Sequence, residues 1–251
     1  MNTEESQFVE AQNRFVAYFD ILGFKDFSMK NDIETVYSQL KTLKEIFNLE
    51  YAHTREELGN LGEIENILSD HLFSFIFSDS VLVVSEGDHF MDFILFSAAI
   101  VIFMRTALKN GIPLKGGIAH GKIIMDKDNN LFCGAPIIDA YLLEEDLQYM
   151  GVVVHHSIER YIKDDISEEI KSDTPVKTFI DLYKELKTTF KYGYRQHSNI
   201  DYTIGEFGDD FNAKECIENF KLTMSGDPRK YIDNTLEMLK KFDEDEFETV
   251  Q

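Results

Sequence analysis

The chain has 251 residues, and its 46 acidic against 25 basic side chains give a formal net charge of −21 at pH 7. An excess of negative charge of this size repels a phosphate backbone unless basic residues are segregated on one face, and the sequence shows no such patch. The hydrophobic share of 43% and the aromatic share of 13% exclude a disordered chain. We therefore expect a folded protein that does not bind nucleic acid.

The sequence also indicates no membrane span and no secretion. Residues 1–10 contain three glutamates where a secretory signal would carry basic and then apolar residues. The most apolar window, Met91 to Met104, is shorter than the roughly 20 residues needed to cross a bilayer, and it predicts a buried helix. Cys133 and Cys216 form no CxxC or Cys/His cluster, which favours reduced thiols. Together these features predict a cytoplasmic protein.

The hydrophobic pattern predicts strands and helices in the order β, α, β-turn-β, α, β, α, β. The predicted strands are Phe15–Phe19, Leu72–Phe77, Val81–Val84, Leu114–Met125 and Val152–His155. The predicted helices are Asp32–Phe47, Asp88–Lys109, Ala135–Tyr149, Asp209–Met224 and Pro228–Phe242. This pattern divides the chain into a tail (1–14), a core (15–162), a C-terminal extension packed on the core (163–242) and a solvated acidic tail (243–251).

Two aspartates stand at the ends of predicted strands. Asp20 follows the apolar run Phe15–Phe19, and Asp79 lies in the tight turn of a hairpin. Carboxylates on one rim of a sheet suit Mg²⁺ or Mn²⁺, although both residues can also be ordinary turn residues. Gly23 lets the loop after Asp20 approach phosphate groups closely, but a glycine after a strand is often only part of a turn.

Four motifs in this order resemble the class III nucleotide cyclase catalytic domain. They are the segments Tyr18–Phe24, Phe77–Ser80, Gly116–Gly121 and Gly134–Glu144. The resemblance is greatest to the bacterial Pycsar branch, the cytidylate and uridylate cyclases of antiphage defence. It covers roughly Phe15 to Ile162, and the segments Asp227–Tyr231 and Asn234–Thr235 resemble the closing helix of that branch.

The resemblance implies an α+β fold with a ferredoxin-like βαββαβ core, acting as a homodimer with active sites between the subunits. Asp20 and Asp79, with the Ile21 carbonyl, would bind two Mg²⁺ or Mn²⁺ ions, and the amides of Gly23 and Phe24 would hold phosphate. The ribose 3′-hydroxyl of a nucleoside triphosphate would then attack the α-phosphorus and expel pyrophosphate.

The base-reading positions differ from those of adenylate cyclases. Phe75 stands four residues before Asp79, where those enzymes keep a lysine, and Leu131 stands three before Gly134, where they keep an aspartate. The resemblance and these bulky residues favour a pyrimidine substrate, UTP or CTP. Phe75 can equally be a core residue of its strand.

The transition-state machinery of purine cyclases is also replaced. Ile138 and Leu142 stand where those enzymes use asparagine and arginine. Lys115, Arg229 and Lys230 are the candidates for the missing positive charge, and each can instead be an ordinary surface cation.

Two other functions fit part of the pattern. The first is a catalytically inactive dimeric module that binds nucleotide or acts as a scaffold, as Ile138 and Leu142 in place of asparagine and arginine would allow. The second is a metal-dependent phosphohydrolase, but Leu22 stands where such a strand end usually carries a second aspartate. The presence of both Asp20 and Asp79 favours the cyclase.

Overall fold

The computed structural model describes residues 10–44, 72–168, 174–204, 211–222 and 228–249. Residues 1–9 of the predicted N-terminal tail and Asp227 of the closing-helix motif lie outside the described residues. The same holds for residues 45–47, the last turn of the first predicted helix.

The described chain contains eight strands and eight α-helices. The strands are β1 (Gln12–Ile21), β2 (Leu72–Phe77), β3 (Ser80–Ser85), β4 (Leu114–Asp126), β5 (Leu131–Cys133), β6 (Val152–Val154), β7 (Tyr183–Phe190) and β8 (Gly193–Ile200). The helices are α1 (Phe24–Lys30), α2 (33–44), α3 (Phe90–Lys109), α4 (Ala135–Asp146), α5 (His156–Asp164), α6 (Thr174–Ile180), α7 (Ala213–Asn219) and α8 (Arg229–Thr249).

All strands belong to one sheet in the order β2-β3-β1-β4-β6-β8-β7, with β5 paired to β4. The first four strands form antiparallel neighbours, with β1 in contact with both β3 and β4. This is the strand order of a ferredoxin-like βαββαβ unit, and the predicted α+β fold is confirmed. β6 joins it by a short parallel pairing with β4.

The C-terminal extension contains a hairpin that the sequence pattern does not predict. β7 and β8 pair antiparallel from Tyr183 and Ile200 to Phe190 and Gly193, and β8 continues the sheet beyond β6. The extension therefore packs on the core through a shared sheet as well as through helices. At its end, α8 passes the predicted boundary at residue 242 and continues to Thr249, because no glycine or proline interrupts it there.

One face of the sheet is covered by α2 and α3 and forms the main core. α3 is apolar almost throughout its length, and its buried side chains contact Phe15, Phe19 and other β-strand residues. Among the described residues, this helix is long and apolar enough to cross a membrane, but 89% of its most apolar window is buried inside the protein. A buried helix was predicted here, and the burial confirms it.

The other face is covered in part by α4 and is called the α4 face below. It carries a smaller apolar cluster built from alternate residues of the central strands, including Val16, Val84 and Ala119. α4 lies very close to β4 at Gly117, where an added Cβ would stand 2.3 Å from the Ala140 carbonyl oxygen. Only glycine therefore permits this contact.

We expect Gly117→Ala to reduce the free energy of unfolding by about 3 kcal/mol, because the methyl group must displace the α4 backbone. Gly111→Ala is the matched control, since its Cβ would meet nothing within 4 Å and its φ of +71° alone makes alanine unfavourable. That conformational cost is about 1 kcal/mol. Chemical denaturation of both variants checks the difference, and equal losses would contradict the steric explanation.

Candidate functional site

The structure brings Asp20 and Asp79 together at one end of the sheet. Asp20 is the penultimate residue of β1 and pairs with Ser80 of β3, and Asp79 lies in the turn that precedes Ser80. The Ile21 amide donates a hydrogen bond to the Asp79 carbonyl oxygen at 3.0 Å. The β2–β3 turn is tight, and Ser78 takes a φ of +57° within it. Asp20 and Asp79 therefore lie in neighbouring positions on the same end of the sheet.

The surroundings of Asp20 disfavour its negative charge. Burial, followed by the nearby Glu144 and Asp79 carboxylates, raises the pKa of Asp20 to about 7, and only Lys115 opposes the shift. A cation at this end of the sheet would relieve that repulsion, and carboxylate oxygens are the donors that Mg²⁺ and Mn²⁺ prefer. The residues present therefore fit a divalent ion.

Two aspartates alone do not complete a metal site. Within the part of the chain that the structure describes, no group of three or more His, Cys, Asp or Glu side chains is arranged to hold a metal ion. The remaining ligands would have to be backbone carbonyls such as that of Ile21, water, or oxygens of a bound phosphate group. Mg²⁺ in phosphoryl-transfer sites is commonly held in this way, by one or two carboxylates and the substrate.

The raised pKa gives a stability test that needs no ligand. Below the ordinary value of 3.8 Asp20 is protonated in both states, whereas between 3.8 and about 7 the folded protein keeps a proton that the unfolded chain has lost. The contribution of Asp20 to the free energy of unfolding should therefore fall across this range and stay low above it. In chelator-treated protein, Asp20→Asn should gain stability over the wild type progressively from pH 5 to pH 7. A gain that does not change with pH would contradict the assigned pKa.

The loop after β1 opens into a cavity. Gly23 adopts a left-handed conformation with φ of +77°, and α1 begins at the next residue. The cavity has a volume of about 630 Å³. Its wall includes Gly23, Phe24, Lys25 and Lys30, together with Pro228 from the C-terminal extension. The loop predicted to bind phosphate thus lines a cavity with two lysines.

Arg229 and Lys230 lie at the start of α8 and are exposed. They directly follow Pro228 and so lie next to that cavity in the chain. Lys115 is placed differently, because it is buried on β4 beside Asp20 and its Nζ lies 2.7 Å from Glu144 Oε1. Of the three candidate cations, Lys115 is therefore buried, and Arg229 and Lys230 are exposed.

The two residues predicted for the base pocket also differ in their placement. Phe75 is partly buried on the α4 face, and its ring centroid lies 4.3 Å from that of Phe132 on β5. Leu131 precedes Phe132 and is 62% exposed. Because successive strand residues point to opposite sides, Phe132 is the β5 residue that packs on Phe75, and Leu131 points the other way.

Sequence reasoning did not single out several residues that surround the aspartates. Tyr18 lies on the same side of β1 as Asp20, its hydroxyl is 2.6 Å from the Ser80 hydroxyl, and its ring meets Tyr141 of α4 edge to face. Burial raises the pKa of Tyr18, the hydrogen bond with Ser80 opposes that shift, and the nearby acidic groups add to it. Tyr18 could have been predicted from its position two residues before Asp20. Glu144 is too far from both aspartates in the sequence for its role to be predicted from spacing.

Comparisons with known proteins find no matching family model and no matching curated protein sequence. Among solved structures, the chain is similar to the catalytic core of a rhodopsin-guanylyl cyclase with converted specificity, solved in complex with ATPαS. The identity is 14%, the match covers 76% of this chain and 95% of that chain, and the TM-score is 0.46. For the guanylyl cyclase Cya2 the identity is 14%, the coverage 81% and 98%, and the TM-score 0.46.

A class III adenylyl cyclase-like ATP-binding protein from Pseudomonas aeruginosa is also similar. The identity is 15%, the match covers 92% of this chain and 44% of that chain, and the TM-score is 0.39. At such identities and TM-scores these likenesses carry no argument about activity. The assignment of a function depends instead on the strand order and on the residues gathered at the end of β1.

Proposed function

We propose that the protein is a metal-dependent nucleotide cyclase that converts UTP or CTP to the 3′,5′-cyclic monophosphate and pyrophosphate. The observation that carries the proposal is the placement of Asp20 and Asp79 side by side at one end of a ferredoxin-like sheet. The order of the four sequence motifs supports it. The resemblance to the Pycsar branch further suggests a cytoplasmic enzyme whose product is an antiphage signal.

In this proposal Asp20, Asp79 and the Ile21 carbonyl hold two Mg²⁺ or Mn²⁺ ions. Such ions lower the pKa of an attacking hydroxyl and neutralise charge on departing pyrophosphate. The amides of Gly23 and Phe24 orient the phosphates. The ribose 3′-oxygen then bonds to the α-phosphorus while the bond from that phosphorus to the bridging oxygen breaks, and the hydroxyl proton passes to solvent.

The positive charges that neutralise the triphosphate come from residues outside α4, the helix in which purine cyclases keep their arginine. The side chains of Ile138 and Leu142 are uncharged, and both are exposed. Lys25 and Lys30 line the cavity beside the Gly23 loop, and Arg229 and Lys230 follow its Pro228 wall. These cations are suited to neutralise the pyrophosphate end of the substrate.

We propose that two copies of the chain associate through the α4 face. Large apolar side chains are exposed around this face, namely Phe77, Ile138, Tyr141 and Leu142. Phe77 is 85% exposed although it lies within β2. Apolar residues gathered in this way indicate an interaction surface. A homodimer built on it would place the base pocket of one subunit opposite the aspartates of its partner.

The class of reaction is tested by incubating the protein with each ribonucleoside triphosphate and Mn²⁺. A cyclase should release pyrophosphate and a cyclic monophosphate, both stopped by a chelator. Inorganic phosphate with a nucleoside diphosphate would favour the phosphohydrolase. Tight nucleotide binding with no product would favour the inactive dimeric module, and either result would contradict the proposal.

The base preference is tested by competition between equal concentrations of UTP, CTP, ATP and GTP. We expect a cyclic pyrimidine product to dominate, because Phe75 and Leu131 stand where adenylate cyclases keep the lysine and the aspartate that read the base. Phe75→Ala should reduce the pyrimidine preference by about tenfold or more, since a single methylene in a hydrophobic pocket already changes discrimination by about 1–3 kcal/mol. A dominant cyclic purine in mass spectra of the wild-type products would refute this preference and leave the cyclase assignment intact.

A further inference from the structure

A buried ion pair lies directly beside Asp20. Lys115 is 6% exposed and Glu144 is 3% exposed, and Lys115 Nζ lies 2.7 Å from Glu144 Oε1. The same ammonium donates hydrogen bonds to the Glu144 carbonyl oxygen at 2.8 Å and to the Glu145 carbonyl oxygen at 3.4 Å. Three oxygen atoms in the last turn of α4 therefore hold the Lys115 ammonium.

The pair joins the two elements that meet at the candidate metal site. Lys115 is the β4 residue that pairs with Asp20 of β1, and Glu144 lies in the last turn of α4. Glu144 and Lys115 act on the Asp20 carboxyl in opposite directions, the first raising and the second lowering its pKa. The charge of Lys115 thus opposes the effect of Glu144 on Asp20 while both are present.

We propose that Lys115 and Glu144 are positioning residues of the candidate metal site. They fix the end of α4 against β4, the strand that pairs with β1 at Asp20, and they place opposite charges beside Asp20 without Lys115 touching the triphosphate. The activity readout rests on the proposed function, whereas metal binding and unfolding do not. The transition-state cation would then come from Arg229, Lys230 or the partner subunit.

A double-mutant cycle separates this role from direct catalysis. Lys115→Met and Glu144→Met each leave one buried charge without its partner, which strongly destabilises a protein, whereas replacing both by apolar residues of similar volume is often tolerated. We expect each single variant to lose at least about a hundredfold in activity and the double variant to recover at least about tenfold over either. A folded double variant as inactive as Lys115→Met would overturn the proposal, because it would show that the lysine charge acts on the reaction.

Mn²⁺ binding without nucleotide distinguishes the two residues, because a pair with a purely structural role would lose binding equally in both single variants. Glu144→Met leaves the Lys115 charge beside Asp20 and should weaken Mn²⁺ binding by about tenfold, whereas Lys115→Met should not weaken it. Calorimetric titration of the full chain measures both, and equal losses in the two variants would overturn the proposal. If the variants show these changes in Mn²⁺ binding but the wild type forms no cyclic product, the role of the pair is supported and the cyclase is refuted.

Discussion

Asp20→Ala is expected to abolish formation of the cyclic nucleotide, with a loss of at least about a thousandfold in kcat. The physical reason is that Asp20 and Asp79 are the carboxylates available to hold both ions at this end of the sheet. Asp79→Ala should have the same effect. Initial rates of pyrophosphate release at saturating Mn²⁺ and nucleotide measure the loss.

The matched control is Asp164→Asn, which removes an exposed carboxylate at the end of α5. It should keep wild-type activity, since it lies outside the proposed site. Circular dichroism and the unfolding midpoint must show that the Asp20 and Asp79 variants remain folded. Folded Asp20→Ala protein that retains more than about a tenth of the activity would contradict the assignment of Asp20 as a metal ligand.

Ile138→Asp is expected to convert the dimer to a monomer and to reduce activity by at least about a hundredfold. Ile138 is 58% exposed on α4, within the apolar residues proposed to form the interface. A carboxylate there would have to be buried against the partner, and an unpaired buried charge is very unfavourable. Light scattering at several protein concentrations, with activity measured on the same samples, checks both effects.

Ile33→Asp is the control for this substitution. Ile33 is 72% exposed at the start of α2, on the opposite side of the sheet from α4. The same change there should leave both the molar mass and the activity unchanged. A wild type that is active and monomeric at every concentration would contradict the dimeric site, and equal effects of the two variants would contradict the choice of the α4 face.

Much of the core could be predicted from the sequence because its signals are local. The hairpin at Asp79 is bounded by two apolar runs, and α3 is a long apolar segment that Gly111 ends in a left-handed conformation. Strand ends also place Asp20 and Asp79 at one rim once the order of the strands is known. The bounds of the predicted strands shifted by only a few residues, because apolar runs mark where a strand is buried and not where its hydrogen bonds end.

The β7–β8 hairpin could not be predicted because charged and polar residues dominate it. Its buried positions include Thr188 and Asn199, whose side chains hydrogen-bond to one another, and Asn199 Oδ1 also accepts a hydrogen bond from the Tyr149 hydroxyl. Such polar contacts leave no apolar alternation in the sequence. The Lys115–Glu144 pair could not be predicted for a different reason. The partners are 29 residues apart in the sequence, and only the packing of α4 on β4 brings them together.

Crystals grown with Mn²⁺ and a 3′-deoxy pyrimidine nucleoside triphosphate, which cannot cyclise, provide the most direct test of the proposed site. Anomalous scattering should show two Mn²⁺ peaks in contact with the carboxylates of Asp20 and Asp79, with the triphosphate over the Gly23 loop. Manganese or triphosphate bound elsewhere, with both carboxylates free of metal, would contradict the proposed function.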